Sequence, residues 1–449
     1  MRTSPSGYFV APQGFCRHKS SVDCLDAGSV TSETMRISAL VTVFCLISMV
    51  AGFGQEGQPK TMVTITVDNL KNGSIKVEPP IPEDGKVPAG TVLKVTATPD
   101  AGFALDSGYY SMGGRSGKQY YESPTPTFEV VADRNKTIGA SFIEAEALKG
   151  FTVKNDVVFA QPGVKKLKYD VFSPNGAKNL PIIVIIHGGG WRVNCEDVMR
   201  GLARELVRGG SYVVCSMDYR WMGTADGDKT TNTMGDLIGD VFGGLAHIQE
   251  HAKEYGGDGA RIGVTGDSAG GHLAAVAALM ANMIGDGGFG TKEGVYEFKP
   301  TYLPAGKTVA DVRKDLTGAI KASAPSYGVF SVQSIGGIMR GQPVEALNAT
   351  APQNHIPNAK DHAVPFYLVC GTKDTVVSDA GVQSFADALK AAGQSVEYVK
   401  VEGASHAFFD WKPDAGTKAA FVKYGVPYAA NMKRFFDGIF YPQGAPVTK

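Results

Sequence analysis

Apolar and polar positions follow two rhythms along this chain. Residues 62–67, 74–78, 92–97, 127–131 and 136–142 alternate with period two, and Pro, Gly, Asn and Asp fill the gaps between them. Strand side chains change face at every residue, so this rhythm predicts short half-buried strands and a small all-β module over residues 60–143. After a short linker at 144–150, strand-like runs alternate with helical patterns. Residues 181–186 are continuously apolar, as a strand buried on both faces must be. Leu237, Val241, Leu245, Ile248 and Ala252 recur at helical spacing and predict one apolar helix face. Val382, Phe385 and Leu389 predict a second such face, with Gly393 as its stop. The expectation for residues 151–441 is an α/β domain with a mostly parallel central sheet covered by helices.

Composition narrows the partners. The 449 residues carry 44 basic and 44 acidic side chains, with no basic cluster or stripe, which argues against nucleic acid. Residues 35–54 read as a secretion signal: Met35-Arg36 is a basic start, residues 37–53 are almost wholly apolar, and Gly52-Phe53-Gly54 offers a small-x-small cleavage site. That apolar run is at the short limit for a span, so export without stable membrane insertion is expected. Residues 1–34 are polar and unpatterned, an unstructured or mis-assigned start with Met35 as the alternative beginning. Beyond the signal stand Cys195, Cys215 and Cys370, an odd number that builds no disulfide framework. Cys215 and Cys370 lie in strand-like runs and read as buried thiols, whereas Cys195 follows a glycine loop.

Candidate chemistry centres on Gly266-Asp267-Ser268-Ala269-Gly270. It joins an apolar run, 261–265, to an alanine-rich helical stretch. A tight strand-to-helix turn flanked by small residues projects the serine hydroxyl above a sheet edge. With 56 glycines in the chain the pentapeptide is weak by itself; its companions give it weight. A serine hydroxyl needs an imidazole to take its proton, and the imidazole needs a carboxylate to fix its tautomer. In this architecture the order is nucleophile, acid, histidine. Of the eight histidines, His272, His355, His362 and His406 follow the serine. His272 lies on the same helix and is expected to pack beneath the turn; His355 and His362 fall in a loop. His406 and Asp374 each follow a strand and reach the carboxyl edge where such sheets carry their chemistry. Ser268, Asp374 and His406 are therefore the expected catalytic set. Gly188, Gly189 and Gly190 follow the strand ending at Ile186, and the Gly189, Gly190 and Ala269 amides are the expected oxyanion hole. Trp191 is the expected wall of the substrate pocket. His247-Ile248-Gln249-Glu250-His251 matches a zinc-peptidase signature, but Ile248 and Ala252 on the core face turn both histidines aside, so no metal is expected. Asp267 is expected to point away from the reaction.

Residues 151–440 resemble the α/β-hydrolase fold. They are most similar to hormone-sensitive-lipase-like esterases and to the bifunctional acetylxylan/feruloyl esterase group. The matching pieces are His187-Gly188-Gly189-Gly190-Trp191, Tyr219-Arg220, Tyr255-Gly256-Gly257-Asp258, the serine pentapeptide with Gly271-His272-Leu273, Gly371-Thr372-Lys373-Asp374 and Ser405-His406. The resemblance implies a serine ester hydrolase that works through an acyl-enzyme without a cofactor; with the secretion expected from residues 35–54, its substrate is a small ester or acetyl or feruloyl groups of plant polysaccharide. An amidase or formamidase, or a general carboxylesterase or lipase, would use the same triad. Residues 284–315 and 327–365 fall where such enzymes place lid and acyl pocket. Residues 88–103, with 136–142, resemble divergent internalin-type B-repeats, bacterial surface modules that act as spacers or adhesive units. A spacer is the preferred reading, since Tyr109, Tyr110, Tyr120 and Tyr121 are the only aromatic grouping. A non-catalytic, polysaccharide-binding adhesive protein is the reading of another class.

Overall fold

The computed structural model describes residues 61–114, 117–285 and 297–444. The expected signal segment and the part of the expected lid between 286 and 296 lie outside these.

The β module holds eight strands: β1 (Met62–Val67), β2 (Gly73–Glu78), β3 (Lys86–Pro88), β4 (Thr91–Pro99), β5 (Phe103–Gly114), β6 (Gly117–Ser123), β7 (Thr127–Ala132) and β8 (Lys136–Glu144). One sheet runs β3-β1-β8-β5-β6 and the other β2-β4-β7. Ile65 and Ile138 of the first meet Leu93, Val95 and Val130 of the second in a common core. The alternation that marks β1, β4 and β7 is plain in their burial, with every second residue inside. β3, β5 and β6 were not among the expected strands. β5 escapes the rule because Asp106, Ser107 and Ser111, all polar, are buried on it, and Gly108 and Gly113 carry no side chain. The four tyrosines form no open platform: Tyr110 stacks on Tyr121 at 4.7 Å, and Tyr109 is buried against Tyr120.

The second domain is built on eight further strands: β9 (Phe151–Ala160), β10 (Leu167–Pro174), β11 (Leu180–Ile186), β12 (Val213–Met217), β13 (Gly257–Asp267), β14 (Ile320–Ser326), β15 (Phe366–Gly371) and β16 (Val396–Val401). They order as β9-β10-β12-β11-β13-β14-β15-β16, parallel from β12 to β16 with β9 and β10 antiparallel at one edge. This is the expected α/β-hydrolase architecture. β11 lies between β12 and β13, and Ile182 to Ile186 are fully buried, which explains their unbroken apolar run. Helices α1 (Arg200–Val207), α2 (Met234–His251) and α3 (Ala269–Met280) follow β11, β12 and β13. The α2 face from Leu237 to Ile248 is inside, and a Thr233–Asp236 capping box starts the helix. Among the described residues no helix is long and apolar enough to cross a membrane.

Candidate active site

The serine sits on a strained turn. Ser268 has φ 53° and ψ −114°, a conformation L-residues adopt only where surrounding structure imposes it. A Cβ on Gly266 or Gly270 would overlap the Ile186 carbonyl oxygen, so both glycines are required by the close approach of β11. Ser268 occupies the N-cap position of α3, yet its hydroxyl does not cap the helix. Oγ instead lies 2.9 Å from His406 Nε2. His406 Nδ1 lies 2.7 Å from Asp374 Oδ2, and Asp374 Oδ1 accepts the Val376 and Val377 amides at 2.8 and 2.9 Å.

Electrostatics fix the direction of these bonds. Burial works against ionisation of Asp374, but the hydrogen bond from His406 and the two amides outweigh it, and the carboxyl is held below its usual range. An ionised carboxylate only accepts, so Nδ1 carries the proton and Nε2 is left to accept from the serine hydroxyl. The Asp374 carboxylate is closed to solvent while the imidazole keeps 17% of its surface. Tyr327, which the sequence did not mark, stands edge-on to His406 with ring centres 5.0 Å apart, and its hydroxyl accepts the Phe409 amide at 3.2 Å.

The glycine loop approaches from β11. Gly188 donates its amide to Asp267 Oδ1 at 2.6 Å, so that N–H is committed to the neighbour of the nucleophile. Asp267 therefore ties the serine turn to the loop. Burial first, and Asp410 second, push its carboxyl up to about 7. Gly189 and Gly190 have φ 114° and 58°, and among the described residues no protein acceptor takes their amides or that of Ala269. Ala269 opens α3, where the first amides have no acceptor within the helix. His187 anchors the loop through Asp218 at 3.0 Å and lies flat against Tyr219.

Trp191 requires a correction. It was expected to wall a pocket, but it is fully buried, and its indole N–H donates to His272 Nδ1 at 3.3 Å. The Trp191 backbone is left-handed (φ 61°), and its ring packs edge-on against His272 of α3 with centres 5.4 Å apart. His272 packs beneath the turn as expected, with Nε2 on the Thr350 carbonyl oxygen, and burial lowers it to about 4. His355 Nε2 lies 2.8 Å from the Asn348 carbonyl oxygen. His247 and His251 are committed to Tyr169 and Glu254. Cys195 places its thiol 3.6 Å from Asp197 Oδ2, and Cys215 and Cys370 are buried free thiols.

The chain is similar to several esterases over part of its length. Residues 169–389 match the BD-FAE family, a span that contains Ser268 and Asp374 and stops before His406. Esterase LipQ of Mycobacterium tuberculosis is 29% identical over 245 residues, covering 51% of each chain. Carboxylesterase NlhH of the same species is 39% identical over 107 residues, 24% of this chain and 31% of that one. The chain thus spans about half the length of LipQ and less of NlhH. The apo form of Thermogutta terrifontis esterase 2 aligns with 67% of this chain and 97% of its own, at 23% identity and a TM-score of 0.48. The sheet order and the strand–serine–helix turn give the larger domain the architecture of the α/β-hydrolase fold, and its residues 169–389 are similar to the BD-FAE family.

Proposed function

We propose that the protein is a serine carboxylic-ester hydrolase, and the observation that carries the reading is the continuous Ser268–His406–Asp374 hydrogen-bond chain. Ser268 Oγ attacks the ester carbonyl carbon as His406 Nε2 takes its proton. The tetrahedral oxyanion is met by the Gly189, Gly190 and Ala269 amides. The C–O bond to the alcohol then breaks, His406 returns the proton to the leaving oxygen, and the acyl group stays on Ser268. Water, deprotonated by His406, releases the acid. Asp374 stays ionised throughout and stabilises the imidazolium. The esterase names of the similar proteins support this class. The BD-FAE match and the extracellular type of the β module favour acetyl or feruloyl esters on plant polysaccharide, and the apolar segment at 35–54 supports export to the cell surface or beyond.

A panel of p-nitrophenyl acetate, methyl ferulate, acetylated xylan and formylkynurenine, run on wild type and Ser268→Ala, tests both levels. The variant should lose at least ~1000-fold in kcat, as removal of a nucleophile does. A loss below tenfold would overturn the nucleophile. Turnover of formylkynurenine without turnover of the esters would move the protein to the amidases.

A further inference from the structure

The β module is docked on the catalytic domain through charge. Asp106 on β5 has a side chain wholly closed to solvent, and it reaches into the second domain. Oδ1 accepts from Arg200 Nε at 3.0 Å and Arg204 Nη1 at 2.8 Å. Oδ2 accepts from Arg200 Nη2 at 3.2 Å and from the Trp411 indole N–H at 2.8 Å. Glu122 on β6 takes a second bond from Arg200 Nη2, at 2.6 Å. Burial opposes ionisation of Asp106, but Arg200 and Arg204 win and hold it well below the usual carboxylate range. Arg200 and Arg204 are themselves about 94% buried, so the two guanidiniums meet these carboxylates out of water, where loss of one partner is costly. A loosely tethered spacer needs no such contact.

Two of the partners of Asp106, Arg200 and Trp411, are connected to the active site. Arg200 opens α1, on the segment that follows the glycine loop. Trp411 lies just beyond the turn, residues 406–409, that begins at His406. That turn is fastened at Phe409 by the Tyr327 hydroxyl, and beyond it at Trp411 by its amide on the Val198 carbonyl oxygen, 2.9 Å, and its indole on Asp106. Arg204 lies over the indole face at 4.8 Å, which fixes the ring from the side. We propose that the β module is part of the catalytic apparatus, with Asp106 as a positioning residue that sets His406 against Ser268 through the Trp411 indole. This rests on the ester-hydrolase reading of the serine and extends it to a second domain.

Trp411→Phe in the full chain removes the indole donor and leaves the Asp106–arginine pairs in place; Asp106→Asn removes the charge. The readout is the rate at which a fluorophosphonate labels Ser268 (Oγ bonds to phosphorus and fluoride leaves), followed from pH 5 to 9. This reports nucleophile activation whatever the natural ester. Trp411→Phe should label about tenfold more slowly, within what small misplacement of a catalytic group costs. Its acid limb should move along the pH axis, and p-nitrophenyl acetate kcat should fall with KM within twofold. A purely structural role would lower the melting temperature and leave the per-site rate and the limb unmoved. Labelling within twofold of wild type, with an unshifted limb, would overturn the inference. Should Asp106→Asn not fold, Trp411→Phe decides alone. No labelling of wild type at Ser268 would instead refute the nucleophile, and the positioning role with it.

Discussion

The serine turn and the histidine loop meet at one hydrogen bond, yet they are shaped by different kinds of force. At Ser268 the conformation is set by backbone: glycines at 266 and 270 let β11 approach, and the Ser268 amide is held on the Ser326 carbonyl oxygen of β14 at 2.9 Å. At His406 the conformation is assembled from afar. Its partners lie 32 and 138 positions away, and Trp411 is tied to a residue 305 positions away in another domain. A backbone-shaped turn is robust to surface change and intolerant of an added methyl. A loop held by side chains is open to graded damage. Substitutions on the two sides should therefore fail differently.

The largest effect belongs to the histidine side. Asp374→Asn keeps the shape but presents an amide that can donate to Nδ1, which favours the tautomer unable to accept from Ser268. The kcat for p-nitrophenyl acetate should fall by about 10⁴-fold at unchanged KM, as loss of the orienting carboxylate does in triads. Folding should persist, because an amide oxygen can still accept the Val376 and Val377 amides. Gly270→Ala is the counterpart on the serine side. Its methyl overlaps the Ile186 carbonyl oxygen, and backbone cannot give way as a side chain can. The expected result is a loss of about 3 kcal/mol of stability, at the upper end for overpacking, with activity and folding lost together in a melt followed by an active-site titration. An active, stable Gly270→Ala would show that the turn is not set by crowding.

The same division governs what could be read from the chain. The pentapeptide, the glycine run and the buried β11 announce themselves because each is a local rule made visible: small residues where backbone must approach, unbroken apolarity where two faces are covered. His406 and Asp374 were legible only through order and topology, as residues following strands. Tyr327, Trp411 and Asp106 were not legible, because nothing near them in sequence states what they touch. β5 was missed for the same reason. Its buried Asp106 and Ser107 are polar because their partners are arginines and an acid brought by folding, so the strand does not alternate. Trp191 was misjudged by the same logic in reverse: a large aromatic beside a glycine loop reads as a pocket wall, and its partner His272, 81 positions away, is brought to it only by folding.

A smaller test separates ring from hydroxyl at the joint between the two sides. Tyr327→Phe keeps the ring against His406 and removes the acceptor of the Phe409 amide. An unsatisfied buried N–H costs about 1–3 kcal/mol. The variant should melt earlier, and kcat should drop about threefold to tenfold if part of that cost appears as displacement of the histidine loop. Unchanged kcat with a lowered melting point would confine Tyr327 to stability and shift the weight of positioning onto Trp411.

Charge offers the finest contrast. The carboxyls tied to the histidine side, Asp374 and Asp106, are held low by their cationic or amide partners. Two near the glycine side are raised, Asp267 to about 7 by burial and Asp410, and Asp197 to about 7 by burial and Glu196, whereas Asp218, which holds His187, is lowered by Lys165 and His187 against its burial. A lowered carboxyl adds stability above its unfolded pKa of about 3.9 and loses it as acid is added; a raised one adds stability below about 3.9 and loses it as pH climbs through about 7. The two sets pull in opposite directions, so the wild-type curve alone assigns nothing, and the difference from a variant does. Asp197→Asn removes one raised group and cannot ionise. Its melting temperature should change less between pH 5 and pH 8 than that of wild type, by roughly 2–4 °C for a chain of this size. The comparison carries the test: a variant whose melting temperature changes as much as that of wild type between pH 5 and pH 8 would mean that Asp197 is already ionised at pH 5 in the folded protein, and the glycine side would then be held by charge as the histidine side is.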